Sequence, residues 1–178
     1  MIPNADEAKK LWDTYHLPPQ KRIHVTHVAE LAVFLAGKIN KPVNIHVLQV
    51  AALLHDIDKA APKLHGEQHP DTAVRILREE GMGEVADVVA THSLYSILSA
   101  RPPTTWEQKL LYLADKMVKY DIVGVDERFN LWNAEHLPPD AQKILDESYP
   151  LVKKLEQEVF NLAQISPDDI LTGKGELL

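Results

Sequence analysis

The chain of 178 residues has no cysteine. That removes disulfides, thiolate catalysis and cysteine-bound zinc or iron–sulfur centres, and it fits a cytoplasmic protein. No apolar run is long enough to span a bilayer, so no membrane partner is expected. The stretch Met1-Ile2-Pro3-Asn4-Ala5-Asp6-Glu7 has no basic start and no apolar segment behind it, so it does not read as a signal peptide. Basic charge is not in excess either. A net charge of −7 argues against a protein that coats a nucleic-acid polymer or an anionic membrane. An anionic small substrate stays open, but it needs a local positive site such as a metal. There is no internal repeat, no low-complexity stretch and no alternating strand pattern.

What remains is an ordinary globular composition with a helical period. Apolar residues make up 45% and charged residues 25%, and the length suits one domain able to bury its own core. The expectation is an all-α fold, an irregular bundle of about six or seven helices. A metal-binding core is expected over about residues 20–120, with a helical extension over about 138–165 and a short tail. The first helix runs from about Asp6 to Tyr15 and breaks at Pro18-Pro19. The second runs from about Gln20 to Ile39, with His24 inside its apolar arc and His27 well outside it. Asn44 caps a third helix expected to run from Ile45 to about Lys59. His69-Pro70-Asp71 reads as a helix start with Pro70 in the first helical position, and Gly81 closes that helix. Val85, Val88, Val89 and His92 form one stripe, so the next helix is expected over about 83–94 with His92 pointing inward. Thr105 to Gln108 has the form of a capping box and opens a helix to about Tyr120, with Asp115 at the edge of its apolar face. Residues 121–136 read as irregular. Pro138-Pro139-Asp140 opens a long helix to about Gln164, expected to be interrupted at Pro150, and Ser166-Pro167-Asp168 is a last cap signal.

The most informative stretch is Leu53-Leu54-His55-Asp56-Ile57-Asp58-Lys59. On a helix His55 and Asp56 stand about 100° apart and can point into one cleft. Lys59 follows His55 by four residues and Asp56 by three, so it shares their face. An imidazole, a carboxylate and an ammonium at a buried helix end are costly unless something binds them. A divalent metal is the simplest binder, with the lysine left for an anion. Taken alone, the stretch is equally a helix end with a satisfied core histidine. It gains weight from the inward or half-buried ligand types elsewhere: His24, His69, His92 and Asp115. Imidazole and carboxylate without sulfur suit iron, manganese, cobalt, nickel or zinc. His65 rivals His69, because Gly66 beside it allows a close loop; Pro70 puts His69 ahead.

The order and spacing of His24 with Val28 and Ala32, the His55-Asp56 doublet with Lys59, and Leu113-Ala114-Asp115 resemble the HD-domain metal-dependent phosphohydrolase superfamily. The resemblance implies that His24, His55, Asp56 and Asp115 hold one metal. It further implies that His69 and His92 hold a second, with Asp56 bridging the two. Ligand order is also similar to bacterial HD hydrolases that cleave diadenosine tetraphosphate, with departures. Their loop before the third histidine is longer, and they have a glycine after the fourth histidine and a Glu-Pro-X-Arg stretch after the last aspartate. This chain reads His92-Ser93-Leu94-Tyr95 and Asp115-Lys116-Met117-Val118 instead. Asp58 stands where many two-metal members have glycine, and its role is open.

The implied activity is metal-dependent hydrolysis of a phosphate ester or anhydride, on a nucleotide or another small phosphorylated metabolite. Asp56 and Lys59 are the candidate catalytic residues, Lys59 taking up charge on the phosphoryl oxygens or else making a plain ion pair with Asp56 or Asp58. Arg22, Lys116 and Arg128 could supply further positive charge, though each is expected to be a solvated side chain. The alternative class is a regulatory module that holds metal and nucleotide without turnover. A homodimer is compatible with either, and the substrate itself is not encoded in any loop.

Overall fold

The computed structural model describes residues 2–173. Nine α-helices follow one another among them: α1 (Ala5–Thr14), α2 (Pro19–Lys38), α3 (Ile45–Leu54), α4 (Asp71–Glu79), α5 (Gly83–Val89), α6 (Trp106–Met117), α7 (Val125–Asn133), α8 (Pro139–Ala163) and α9 (Pro167–Thr172), with a 3₁₀ turn at Leu94–Leu98. The described residues contain no strand; a lone antiparallel bridge joins Val118 to Ile122. The fold is all-α, with more and shorter helices than the period suggests. The last residues of the expected tail lie outside the described segment.

Helix α3 is the hub. Val47, Leu48, Val50, Ala51, Ala52, Leu53 and Leu54 are all buried, so beyond its first residues the helix is apolar on most sides and must be enclosed. It packs against α1, α2, α5 and α6. Asn44 caps its start, accepting from the Val47 N–H at 3.2 Å. Its end falls at Leu54, five residues before the expected Lys59. Side chains claim the last carbonyls. The Trp12 indole donates to the Leu53 carbonyl at 2.9 Å, and the His55 ring meets the Ala52 carbonyl at 2.8 Å. The chain then turns, with the Ile57 N–H on the Leu54 carbonyl and the Lys59 N–H on that of Asp56. A helix end capped by side chains in this way is invisible to periodicity.

Four further expectations are corrected. Helix α5 stops at Val89, so His92 sits in the turn after it, its N–H on the Val89 carbonyl. Residues 121–136 are not irregular throughout, for α7 occupies 125–133. It lacks a side-chain cap, starting after Gly124 at φ 84°, and buries only Val125 and Phe129. Packing of Phe129 against Trp132 and Tyr149 stabilises so short a segment. Helix α8 runs through Pro150 without interruption. Pro150 and Asp146 are both exposed, so the carbonyl that loses its amide partner reaches water. Pro70, finally, is the residue before α4 rather than its first. No helix of the described residues is long and apolar enough to cross a membrane.

Candidate metal centre

The ends of α3 and α5, the loop before α4, and the faces of α2 and α6 meet in a cleft of about 370 Å³. Its lining includes His24, Asp56, His69, His92 and Asp115, with the cations Lys21, Lys59, Lys116 and Arg128 around them. His55 is fully buried behind. The structure thus brings all six expected ligands together, and Lys59 with them. His65 is exposed in the loop and joins no ligand group among the described residues.

The four imidazoles form a chain of edge-to-face contacts. Centroids lie 5.3 Å apart for His24 and His55, 4.9 Å for His55 and His92, and 4.6 Å for His69 and His92. Each ring is held from outside through Nδ1. That atom meets the Lys119 carbonyl in His24 (2.9 Å), the Ala52 carbonyl in His55 (2.8 Å) and the Val89 carbonyl in His92 (2.6 Å). In His69 it meets the Asp58 carboxylate at 2.9 Å. All these partners can only accept, so Nδ1 carries the proton in every ring. In the neutral ring, Nε2 is then a bare lone pair, and all four turn it inward.

Those lone pairs face atoms that repel them. His24 Nε2 is 3.0 Å from Asp115 Oδ1, and His55 Nε2 is 3.5 Å from the same oxygen and 4.0 Å from Asp56 Oδ1. His69 Nε2 is 2.8 Å from His92 Nε2 and 3.7 Å from Asp56 Oδ1. His55 Nε2 is buried with no hydrogen-bond partner. Such an arrangement calls for positive charge at its middle, either protons or a cation. Donor chemistry and geometry both fit a divalent metal: three groups, His24–His55–Asp115, His55–Asp56–His92 and Asp56–Asp58–His69, each have ligand atoms within 4.8 Å of one another. A histidine oriented through Nδ1 by a carbonyl or carboxylate is the usual outer support of a metal ligand. By that logic Asp58, whose role the sequence leaves open, supports His69.

The titration of these groups follows the same field. Burial alone would raise the Asp56 carboxyl, but His55, Lys59 and Lys21 outweigh it and hold it well below the usual range. Asp115 is held down against its burial by Lys116, His24 and His55. Burial lowers His55, yet Asp56 and Asp115 bring it above its ordinary value. His92 goes well below, through burial first and then the neighbouring His55 and His69.

The surrounding cations are less simple than expected. Lys59 pairs with Asp56 at 3.2 Å, and so does Lys21 at 2.8 Å, a residue the sequence reading passed over. Lys21 stands three residues before His24 on α2, so their shared face was the available signal. Lys116 is no solvated side chain. It is buried, bonded to the Asp115 carboxylate and, at 2.5 Å, to the His92 carbonyl, and so pins two ligands at once. Arg128 lines the cleft from α7. Arg22 does leave solvent, but for Asp13 and the Leu17 carbonyl, away from the site.

A family model described as HD domain matches residues 22–119, just over half of the chain, and that span holds all six candidate ligands. No curated protein and no solved structure matches.

Proposed function

Since this chain belongs to the HD domain family, we propose that it is a metal-dependent phosphohydrolase acting on a small phosphorylated substrate, with a nucleotide the first candidate. The observation that carries this reading is the inward convergence of four Nε2 atoms, each ring held from behind through Nδ1, on the Asp56 and Asp115 carboxylates, with cations around the rim. His24, His55, Asp56 and Asp115 would hold one metal, and His69 and His92, with Asp56, would hold a second.

When bound, a divalent metal supplies Lewis acidity and acidifies water towards neutrality. The protein's own residues do the rest. Carbonyls and Asp58 fix each imidazole in the tautomer that leaves Nε2 free. Lys116 keeps Asp115 ionised and aimed inward. Lys21 and Lys59 hold Asp56 as its anion, and both side chains are partly exposed at the mouth. From there they can meet an arriving phosphoryl group and stabilise the charge that builds on its oxygens.

The test is metal analysis of the purified protein, followed by phosphate release from a panel of nucleotides and sugar phosphates after loading with manganese, iron, cobalt, nickel or zinc in turn. Bound metal with turnover of at least one ester supports the reading. Metal and nucleotide bound without any turnover would make it the regulatory module instead.

A further inference from the structure

Four cations face the cleft, and three are spoken for. Lys21 and Lys59 hold Asp56, and Lys116 holds Asp115 and the His92 carbonyl. Arg128 differs. Its side chain makes no hydrogen bond and no ion pair among the described residues, and its Nε is buried without a partner. Its guanidinium lies over the Trp132 ring, 4.0 Å from the centroid. The two residues are one turn apart on α7, and both line the cleft. Stacking on an indole fixes the plane of the guanidinium without using any of its N–H groups. Burial works against its charge, and Asp115, Glu135 and Asp56 favour it only from a distance. A preset, half-buried arginine with an N–H left unmet lacks one thing, an oxyanion.

We propose that Arg128, held flat by Trp132, binds phosphoryl oxygens of the substrate in this cleft. The inference rests on the phosphohydrolase reading and adds a residue to it. The HD domain match stops at residue 119, so family membership assigns Arg128 nothing. A planar fork of donors suits two oxygens of one phosphate, which the point charge of a lysine does not. Asp56 and Asp115 do not fill the role, because they pair with Lys21, Lys59 and Lys116 and neither pairs with the Arg128 guanidinium.

Inorganic phosphate is the probe. Wild type, Arg128→Gln, Arg128→Lys and Trp132→Leu are loaded with manganese, checked for helicity and metal content, and titrated with phosphate by calorimetry. All four should hold the same metal. Phosphate should bind about 10–100-fold more weakly to Arg128→Gln, the scale of one charged hydrogen-bonding partner. Arg128→Lys and Trp132→Leu should fall between that variant and wild type. With a substrate that is turned over, Arg128→Gln should raise KM more than it lowers kcat. Equal phosphate affinity for wild type and Arg128→Gln at equal metal content would overturn the proposal and leave the phosphohydrolase reading intact. Loss of metal from Arg128→Gln would overturn it too, making Arg128 a support of the centre. Wild type that neither binds phosphate nor releases it from any ester would sink the functional reading and this inference together. If Arg128→Gln fails to fold, the same comparison is made on Arg128→Lys and Trp132→Leu.

Discussion

Two charged clusters of the molecule, one between α7 and α8 and one in the cleft, are built on opposite plans. Between α7 and α8, Lys153 meets Glu156 and Asp126, and Asp126 also accepts from the Tyr149 hydroxyl at 2.7 Å. Each charge there has a protein partner. In the cleft, His55 Nε2 and Arg128 Nε are buried with none, and two imidazole nitrogens face each other at 2.8 Å. A closed network holds helices together, whereas an open one is incomplete until something enters it. The two should therefore respond differently to damage: the closed one in melting temperature, the open one in metal and substrate.

The largest effect is expected at Asp56, which joins two of the three ligand groups and takes both rim lysines. Asp56→Ala should empty the centre of metal and abolish phosphate release, while circular dichroism keeps the helical signal. A variant that retains both metal and rate would show that the doublet is not the middle of the site. His92→Ala comes next. It should take metal content from near two towards one per chain, with a large loss of activity. Wild-type protein that holds a single metal at saturation would dismiss the second site, leaving His69 and His92 as substrate contacts.

These expectations could be drawn largely from the sequence, and the reason is physical. Imidazole and carboxylate are rarely turned inward, so their helical phase is informative: His24, inside the arc of α2, is buried, while His27, outside it, is only half-buried. His92 does point inward as its stripe predicts, although a turn after α5 rather than a further helical turn presents it. What was lost depends on contacts distant in sequence. Lys116 looks like an ordinary solvated lysine until the His92 carbonyl, 24 residues away, meets it. Arg128 reads as one more solvated cation because α7, which carries it to the cleft, forms by packing against α6 and α8. Asp58 reads as surplus negative charge until His69 closes on it across the loop.

Asp58→Asn sharpens the contrast inside the cleft. The amide keeps the shape but loses the anion that orients His69 through Nδ1. Metal affinity, measured by chelator competition, should fall about 10–100-fold, the usual cost of an outer-shell carboxylate. An unchanged affinity would mean that the Pro70 backbone alone positions His69. On the closed side, Lys153→Met should leave metal content untouched. It strips Glu156, which is buried, of its only cation partner among the described residues, and burial already pushes that carboxyl up. Lys153 is itself partly exposed, so the loss is discounted to about 1 kcal/mol, a drop of about 2–4 °C in melting temperature for a chain of this size. Metal loss from this variant would break the distinction between the two clusters.

The smallest effect is expected at the Tyr15 hydroxyl, a closed contact at the surface that ties the end of α1 to the end of α4. It donates to Glu80 Oε1 at 2.6 Å. Burial, then the hydrogen bond and charge of Glu80, push the phenol up from 10.0 to about 12. The folded chain therefore favours the neutral phenol. The contact should contribute fully while the pH is below about 10, where Tyr15 is protonated in folded and unfolded chain alike. As the pH rises from 10 to 12, the unfolded chain ionises first and the advantage drains away. Tyr15→Phe should melt about 1–2 °C below wild type at neutral pH, the scale of one surface hydrogen bond. The gap should close as pH climbs through that alkaline window. A gap that is flat with pH would mean that packing of the ring, and not its bond to Glu80, joins α1 to α4. At neutral pH metal content should match wild type throughout, because every partner of this hydroxyl lies outside the cleft.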